Sequence, residues 1–233
     1  MRLESLIWTL LLLNGYCYAK EPAVELFLRD GVPEKWVVTE WSDLKKPAPE
    51  GVVWRVKDGV LHGSQPRGTW LMSEAEYDDF VFKFEWKLGE RGNSGVALRA
   101  PMQGDPAFDG LELQMVDPRY FPEGQTAQPD ELSGSLYRAA APKEQAFRPT
   151  QWNTYEITCQ GPRVKVVLNG VLVQDLNLDE QTKRPQRHDG SLAPPLKDRP
   201  RRGHVGFQEL SRGENQVQIR GAQLRTLDKS SHD

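Results

Sequence analysis

Phe80-Val81-Phe82-Lys83-Phe84-Glu85-Trp86-Lys87-Leu88 is the stretch on which the fold turns. Every second residue is large and apolar, while Lys83, Glu85 and Lys87 fall between them. Side chains on a strand alternate between two faces, so this segment has one apolar face and one mostly charged face. A helix would scatter the same aromatics around its circumference. The segment reads as a β-strand with one side in a core.

Further along, Arg163–Leu168 and Val171–Leu176 flank Asn169-Gly170. Asn-Gly between β-branched runs signals a two-residue hairpin, because a type I′ turn needs positive φ at both central positions. Tyr155–Cys159 runs into Gly161-Pro162, another turn. Shorter strands are expected at Val24–Leu28, Val52–Val56, Val60–Gly63, Thr69–Met72, Ser94–Arg99, Leu111–Asp117, His204–Glu209 and Val217–Leu224. No segment keeps an apolar period of about 3.6 residues, the mark of an amphipathic helix. Many short, closely spaced strands imply an all-β protein, two curved antiparallel sheets in a jelly-roll β-sandwich. Two long stretches, Pro118–Gln151 and Asp179–Arg202, read as loops. Long loops in a compact domain are functional or mobile, and for the second a solvated excursion serves as well.

The first residues have a different character. Arg2 precedes an apolar run from Leu6 to Leu13, and Cys17-Tyr18-Ala19 ends on small residues at alternate positions. That is the pattern of a secretory signal peptide, giving residues 1–19 as the signal and 20–233 as one β-sandwich domain, exported to the periplasm or medium. The run is too short to span a bilayer, and no second run is long enough. Removing residues 1–19 leaves Cys159 as the sole cysteine, in phase with Tyr155 and Ile157 and so read as a buried apolar residue. The net charge of −3, with no basic block, argues against nucleic acid as a partner.

Chemistry can sit in Gly110-Leu111-Glu112-Leu113-Gln114-Met115-Val116-Asp117. Alternation places Leu111, Leu113 and Met115 on one face and Glu112 and Gln114 on the other, about 6.5–7 Å apart. A carboxylate beside an amide can move a proton while its neighbour orients a hydroxyl. The same spacing equally describes a solvent-facing strand. In Arg91-Gly92-Asn93-Ser94-Gly95-Val96-Ala97-Leu98-Arg99, the two glycines allow a tight turn or the close approach of a ligand. Arg99 could pair with Glu112 or polarise a carbonyl, or form an ordinary salt bridge. His62, His188, His204 and His232 show no mutual spacing suited to a metal. An oxygen-rich divalent-cation site has no sharp motif and stays open.

These blocks together resemble the 3-keto-disaccharide hydrolase family. The resemblance rests on Glu85-Trp86, Gly92–Arg99 and Gly110–Gln114. It continues through Ser133-Gly134-Ser135-Leu136-Tyr137, Trp152–Ile157, Val167–Val171 and Arg202–Gln208, with Trp54–Leu61 near the start. It implies a concanavalin A-like sandwich, usually exported by bacteria, acting on glycosides oxidised at carbon 3. A 3-ketone acidifies the proton on carbon 2. Its removal expels the glycosidic oxygen by β-elimination, and water can add to the resulting enone. Such chemistry calls for a base, a donor to the enolate oxygen and an acid for the leaving group. On that reading Glu112 is the base, Arg99 the electrostatic donor and Gln114 a third catalytic group, with Asn93, Ser94, Tyr137, Gln208 and Glu209 around the sugar. The family pattern also carries a histidine soon after the glutamine of the late strand. Here the run is Gln208-Glu209-Leu210-Ser211-Arg212-Gly213, and Glu209 is the nearest stand-in. Two rival readings fit the same fold: a non-catalytic carbohydrate-binding module, and a glucanase. The glucanase needs two carboxyl groups, whereas the same-face partner of Glu112 is an amide.

Overall fold

The computed structural model describes residues 22–63, 65–212 and 216–228. The signal-peptide expectation for residues 1–19 lies outside them. In chain order the strands are β1 (Val24–Glu25), β2 (Trp36–Glu40), β3 (Arg55–Lys57), β4 (Val60–His62), β5 (Thr69–Tyr77), β6 (Phe80–Lys87) and β7 (Asn93–Ala100). After a one-turn helix, α1 (Pro106–Asp109), come β8 (Leu111–Val116), β9 (Asn153–Gln160), β10 (Arg163–Leu168), β11 (Val171–Asn177), β12 (Gly203–Glu209) and β13 (Gln218–Thr226). Two antiparallel sheets face each other. One runs β11-β10-β9-β6-β13-β4-β3, with β1 also on β13; the other runs β2-β5-β12-β7-β8.

The opening stretch does what its alternation requires. Phe80, Phe82, Phe84 and Trp86 are buried, while Lys83 is exposed and Val81, Glu85 and Lys87 lie partly open. Their rings meet the other sheet at Phe207 of β12, with centroids 5.7 Å from Phe82 and 5.1 Å from Phe84. Tyr155 and Ile157 of β9 and Val96, Leu98, Leu113 and Met115 of the second sheet complete this core. Offset and edge-on ring contacts at such distances add to the burial of apolar area that holds the two sheets together. The hairpin is as expected, with φ of 52° at Asn169 and 85° at Gly170.

Three features differ from the sequence reading, one being that the strand expected at Val52–Val56 begins only at Arg55. β2 is an edge strand of the five-stranded sheet, pairing β5 from Trp36↔Ser73 to Glu40↔Thr69. Its five residues lack a clean alternation of burial, so no period marks it. The expected strand Val24–Leu28 stops at Glu25, and Phe27 has a φ of 60°.

Both long loops are folded onto the second sheet. Residues 133–140 lie along the free edge of β8: the Gln114 N–H donates to Ser135 O, the Gly134 N–H to Gln114 O, and the Tyr137 N–H to Glu112 O. An exposed sheet edge is thereby covered. The second loop is clasped to α1 by Arg187, which binds both oxygens of Asp109 at 2.5 and 3.0 Å. Arg199 adds hydrogen bonds from Nη1 to the carbonyls of Ala107 and Gly110.

Candidate active site

On the face of the second sheet turned away from the main core lies a pocket of about 240 Å³. The sheet supplies Asn93 from β7, Glu112 and Gln114 from β8, and Gln208 from β12. The loops and α1 supply Trp41, Arg67, Asp105, Ala107, Tyr120, Tyr137, His188 and Leu210. The volume is below the roughly 300–1,000 Å³ typical of drug-sized ligands and suits one sugar ring.

Alternation along β8 sends Leu113 and Met115 into the core and Glu112 and Gln114 toward this pocket. Gly95 is what lets Glu112 lie flat. A Cβ on Gly95 would collide with the Glu112 carboxyl, so only a glycine fits beneath it. Glu112 is buried, and its carboxyl makes no hydrogen bond among the described residues. Burial, followed by repulsion from the Asp105 charge, pushes its pKa well above the usual carboxylate range. Asp105 caps α1, accepting the Ala107 N–H at 3.0 Å. Burial, reinforced by Asp109, raises it to about 7, while the Ala107 N–H and Arg187 pull the other way. The pocket therefore holds two carboxyl groups that resist being ionised together.

Around them stand aromatic and amide groups. His188 lies against Phe108, Tyr137 and Trp41, with ring centroids 5.3, 5.9 and 5.8 Å away. Burial, then the charge of Arg138, lowers its pKa, so it is neutral at pH 7. Burial pushes the Tyr137 hydroxyl up, leaving it a neutral donor. Asn93 donates to the hydroxyl of Tyr120. Asn93 Oδ1 is buried with no hydrogen-bond partner among the described residues. A buried acceptor of this kind calls for a ligand donor.

Five residues singled out in the sequence therefore meet here: Asn93, Glu112, Gln114, Tyr137 and Gln208. Three do not. Arg99 is fully buried on the other side of its strand, where it binds the carbonyls of Asp78 and Gly161 and forms an ion pair with Asp79 at 3.0 Å. The cause is a β-bulge. Between the pairs Gly206↔Ala97 and His204↔Ala100, β7 has two residues where β12 has one, and Arg99 takes a φ of 51°. The alternation shifts by one residue, so Ala100 joins Ala97 on the pocket side while Arg99 turns inward. Arg99 is thus no electrostatic donor to the site. Ser94 faces inward by ordinary alternation and donates to Gln208 O at 2.6 Å. Glu209, one residue past Gln208, likewise points away: its two oxygens accept the N–H groups of Ser211 and Val217, each at 2.7 Å. It cannot stand in for a pocket histidine.

The pocket histidine comes instead from the Asp179–Arg202 loop, as His188. No local pattern around it announces this. Asp105 had a signal: an Asp directly before Pro106 is a helix-start pattern. Among the described residues no three His, Cys, Asp or Glu side chains converge as metal ligands. No helix among them is long and apolar enough to cross a membrane.

Comparison with known proteins adds the ancestry. Residues 23–225 match the sequence pattern of the 3-keto-alpha-glucoside-1,2-lyase-like domain. The chain belongs to that family. As a 3-keto-alpha-glucoside-1,2-lyase-like domain it has a carbohydrate-related role. Two candidate glycosyl hydrolases of Parabacteroides distasonis share its fold. One is 24% identical with a TM-score of 0.65, covering 81% of this chain and 100% of its own. The other is 21% identical with a TM-score of 0.64, covering 83% and 89%. The LamAcat protein of Zobellia galactanivorans has the same sandwich at 12% identity and a TM-score of 0.52, over 90% of this chain and 98% of its own. No curated protein matches the sequence.

Proposed function

We propose that this lyase-like domain is an exported enzyme that cleaves 3-keto-glycosides by elimination and hydrates the product. The observation that carries the proposal is the pair Asp105 and Glu112. Burial, with the Asp105 charge acting on Glu112, keeps the Glu112 carboxyl protonated, while Asp105 ionises near neutral pH, so one small pocket offers both an acid and a base.

The step runs as follows. The carboxylate of Asp105 takes the proton from carbon 2. The electron pair of that C–H bond becomes the double bond between carbons 1 and 2, and the bond from carbon 1 to the glycosidic oxygen breaks. Glu112, protonated, delivers its proton to the departing oxygen. The family resemblance implies Glu112 as the base; its burial makes it the donor and passes the base to Asp105. Tyr137, a neutral phenol, can donate to the oxygen on carbon 3 while enolate charge builds there. Gln114 and the free Oδ1 of Asn93 suit the remaining hydroxyls. Addition of water to carbon 1 uses the same two carboxyls in reverse.

The test compares one glycoside in its 3-keto and unmodified forms in D₂O. Deuterium wash-in at carbon 2 and release of the aglycone from the 3-keto form alone are expected. Cleavage of the unmodified form would favour the glucanase, for which Asp105 supplies the second carboxyl. Binding without turnover of either form would leave a binding module.

A further inference from the structure

The pocket carries acids and a pair of arginines, and among the described residues those arginines form no ion pair. Arg67 lines the pocket and donates from Nη2 to the Tyr120 hydroxyl at 2.9 Å. Arg212 stacks on the same ring, its guanidinium carbon 4.4 Å from the centroid, with that of Arg67 at 5.7 Å. Among the described residues neither arginine forms an ion pair. Arg119, next to Tyr120 in the chain, shows the ordinary solution, with carboxylate oxygens of Glu90 and Asp117 at 2.8 and 2.6 Å. Glu209 feels the charge of Arg67, but both its oxygens are engaged by backbone N–H groups. Two guanidiniums gathered on one phenol concentrate positive charge at this end of the pocket, a field that draws an anion.

The geometry points to a carboxylate-binding subsite at Arg67, Tyr120 and Arg212, so that the sugar derivative taken by this pocket is an anionic one. The claim deepens the reading above, on which it rests for the glycoside itself. Among the described residues only Nη2 of Arg67 is engaged, and a guanidinium presents its donors as a planar fork matched to a carboxylate. The Tyr120 hydroxyl, already receiving hydrogen bonds from Asn93 and Arg67, can turn its own proton toward a second acceptor. Asp105 and Glu112 line the same pocket, and the Asp105 carboxylate repels an anion. It thereby orients the ligand, carboxylate toward Arg67 and glycosidic bond toward the two acids. The carboxylate belongs either to the sugar, as in a uronic acid, or to the aglycone.

Calorimetric titration distinguishes these sources without any chemistry at carbon 3. Three unoxidised ligands serve: methyl β-glucoside, methyl β-glucuronide and 4-carboxyphenyl β-glucoside, with phenyl β-glucoside as the neutral control for the last. One of the two carboxylates should bind at least about tenfold tighter than its neutral counterpart, near 1.4 kcal/mol. The gap should vanish in Arg67→Gln/Arg212→Gln, narrow in Arg67→Lys, and persist in Arg29→Gln, an exposed arginine outside the pocket. Thermal melts confirm that each variant is folded. Equal binding of neutral and anionic partners, or a gap that survives the double substitution, would overturn the subsite and leave the elimination reading untouched. Failure of deuterium wash-in would do the reverse.

Discussion

Glu112 and Glu209 are both buried glutamates on one five-stranded sheet, and they have opposite surroundings. Glu209 faces inward beside Gly63, with each oxygen holding a backbone N–H. Those bonds offset part of its desolvation, and its pKa rises only to about 6. Glu112 faces the pocket with no hydrogen-bond partner among the described residues, and burial with the Asp105 charge pushes its pKa well above the usual carboxylate range. The first carboxyl ties β12 to the approach of β13; the second is left available for something that is not protein. Burial alone therefore does not mark a functional acid. What marks it is burial without satisfaction, at the wall of a pocket.

The sharpest way to break this contrast is to neutralise the two pocket acids in turn. Asp105→Asn should abolish carbon-2 wash-in by about 10²–10⁴-fold, the usual range for losing a general base. Glu112→Gln should slow alkyl glycosides by a comparable factor and nitrophenyl glycosides much less, since an activated leaving group needs no proton. Equal losses on both would remove Glu112 as the acid. Next in size, Gly95→Ala should lower turnover by up to about 10²-fold, the cost of displacing a catalytic group by about 1 Å, without lowering substrate binding to the same degree. Unchanged kinetics in that variant would mean that Glu112 has room the structure does not give it.

Glu209→Ala carries the other half of the comparison. It orphans two buried N–H groups at about 1–3 kcal/mol each, so the urea midpoint should fall while turnover per folded molecule holds. A collapse of turnover at unchanged stability would reverse the roles of the two glutamates. A further prediction concerns pH. Asp105 rises from 3.8 to about 7 on folding, so the folded state binds its proton more tightly than the unfolded one. That contribution to stability is complete below about pH 4 and is lost as pH climbs through about 7. Asp105→Asn should flatten the decline across that window in denaturant melts. A slope identical to wild type would mean that Asp105 does not resist ionisation in the fold.

Much of this architecture is written in periodicity. The alternation of Phe80–Leu88, the Asn169-Gly170 turn and the inward set Leu111, Leu113 and Met115 all stand as the sequence reads, and with them Glu112 and Gln114 on the pocket face. What periodicity could not carry was the part of the site brought in by loops. Asp105 and His188 reach the pocket through tertiary contacts, the clasp of Arg187 on Asp109 among them, and no spacing rule links residues so far apart. Arg99 failed for a different reason. Its segment alternates well on paper, but one extra residue against β12 changes which side each later residue faces.

That bulge behaves like a shift of reading frame. Up to Leu98 the odd-numbered residues of β7 face the pocket and the even-numbered ones the core, and past the bulge the assignment is exchanged. On an unbulged strand the same eight residues would carry Arg99 onto the pocket floor beside Ala97 and set a permanent cation under the sugar. Here the cation is assigned to the turns at Asp78, Asp79 and Gly161, and the floor keeps an alanine. Two chains could agree at every position of this strand and still offer a substrate opposite charges, according to where the count slips.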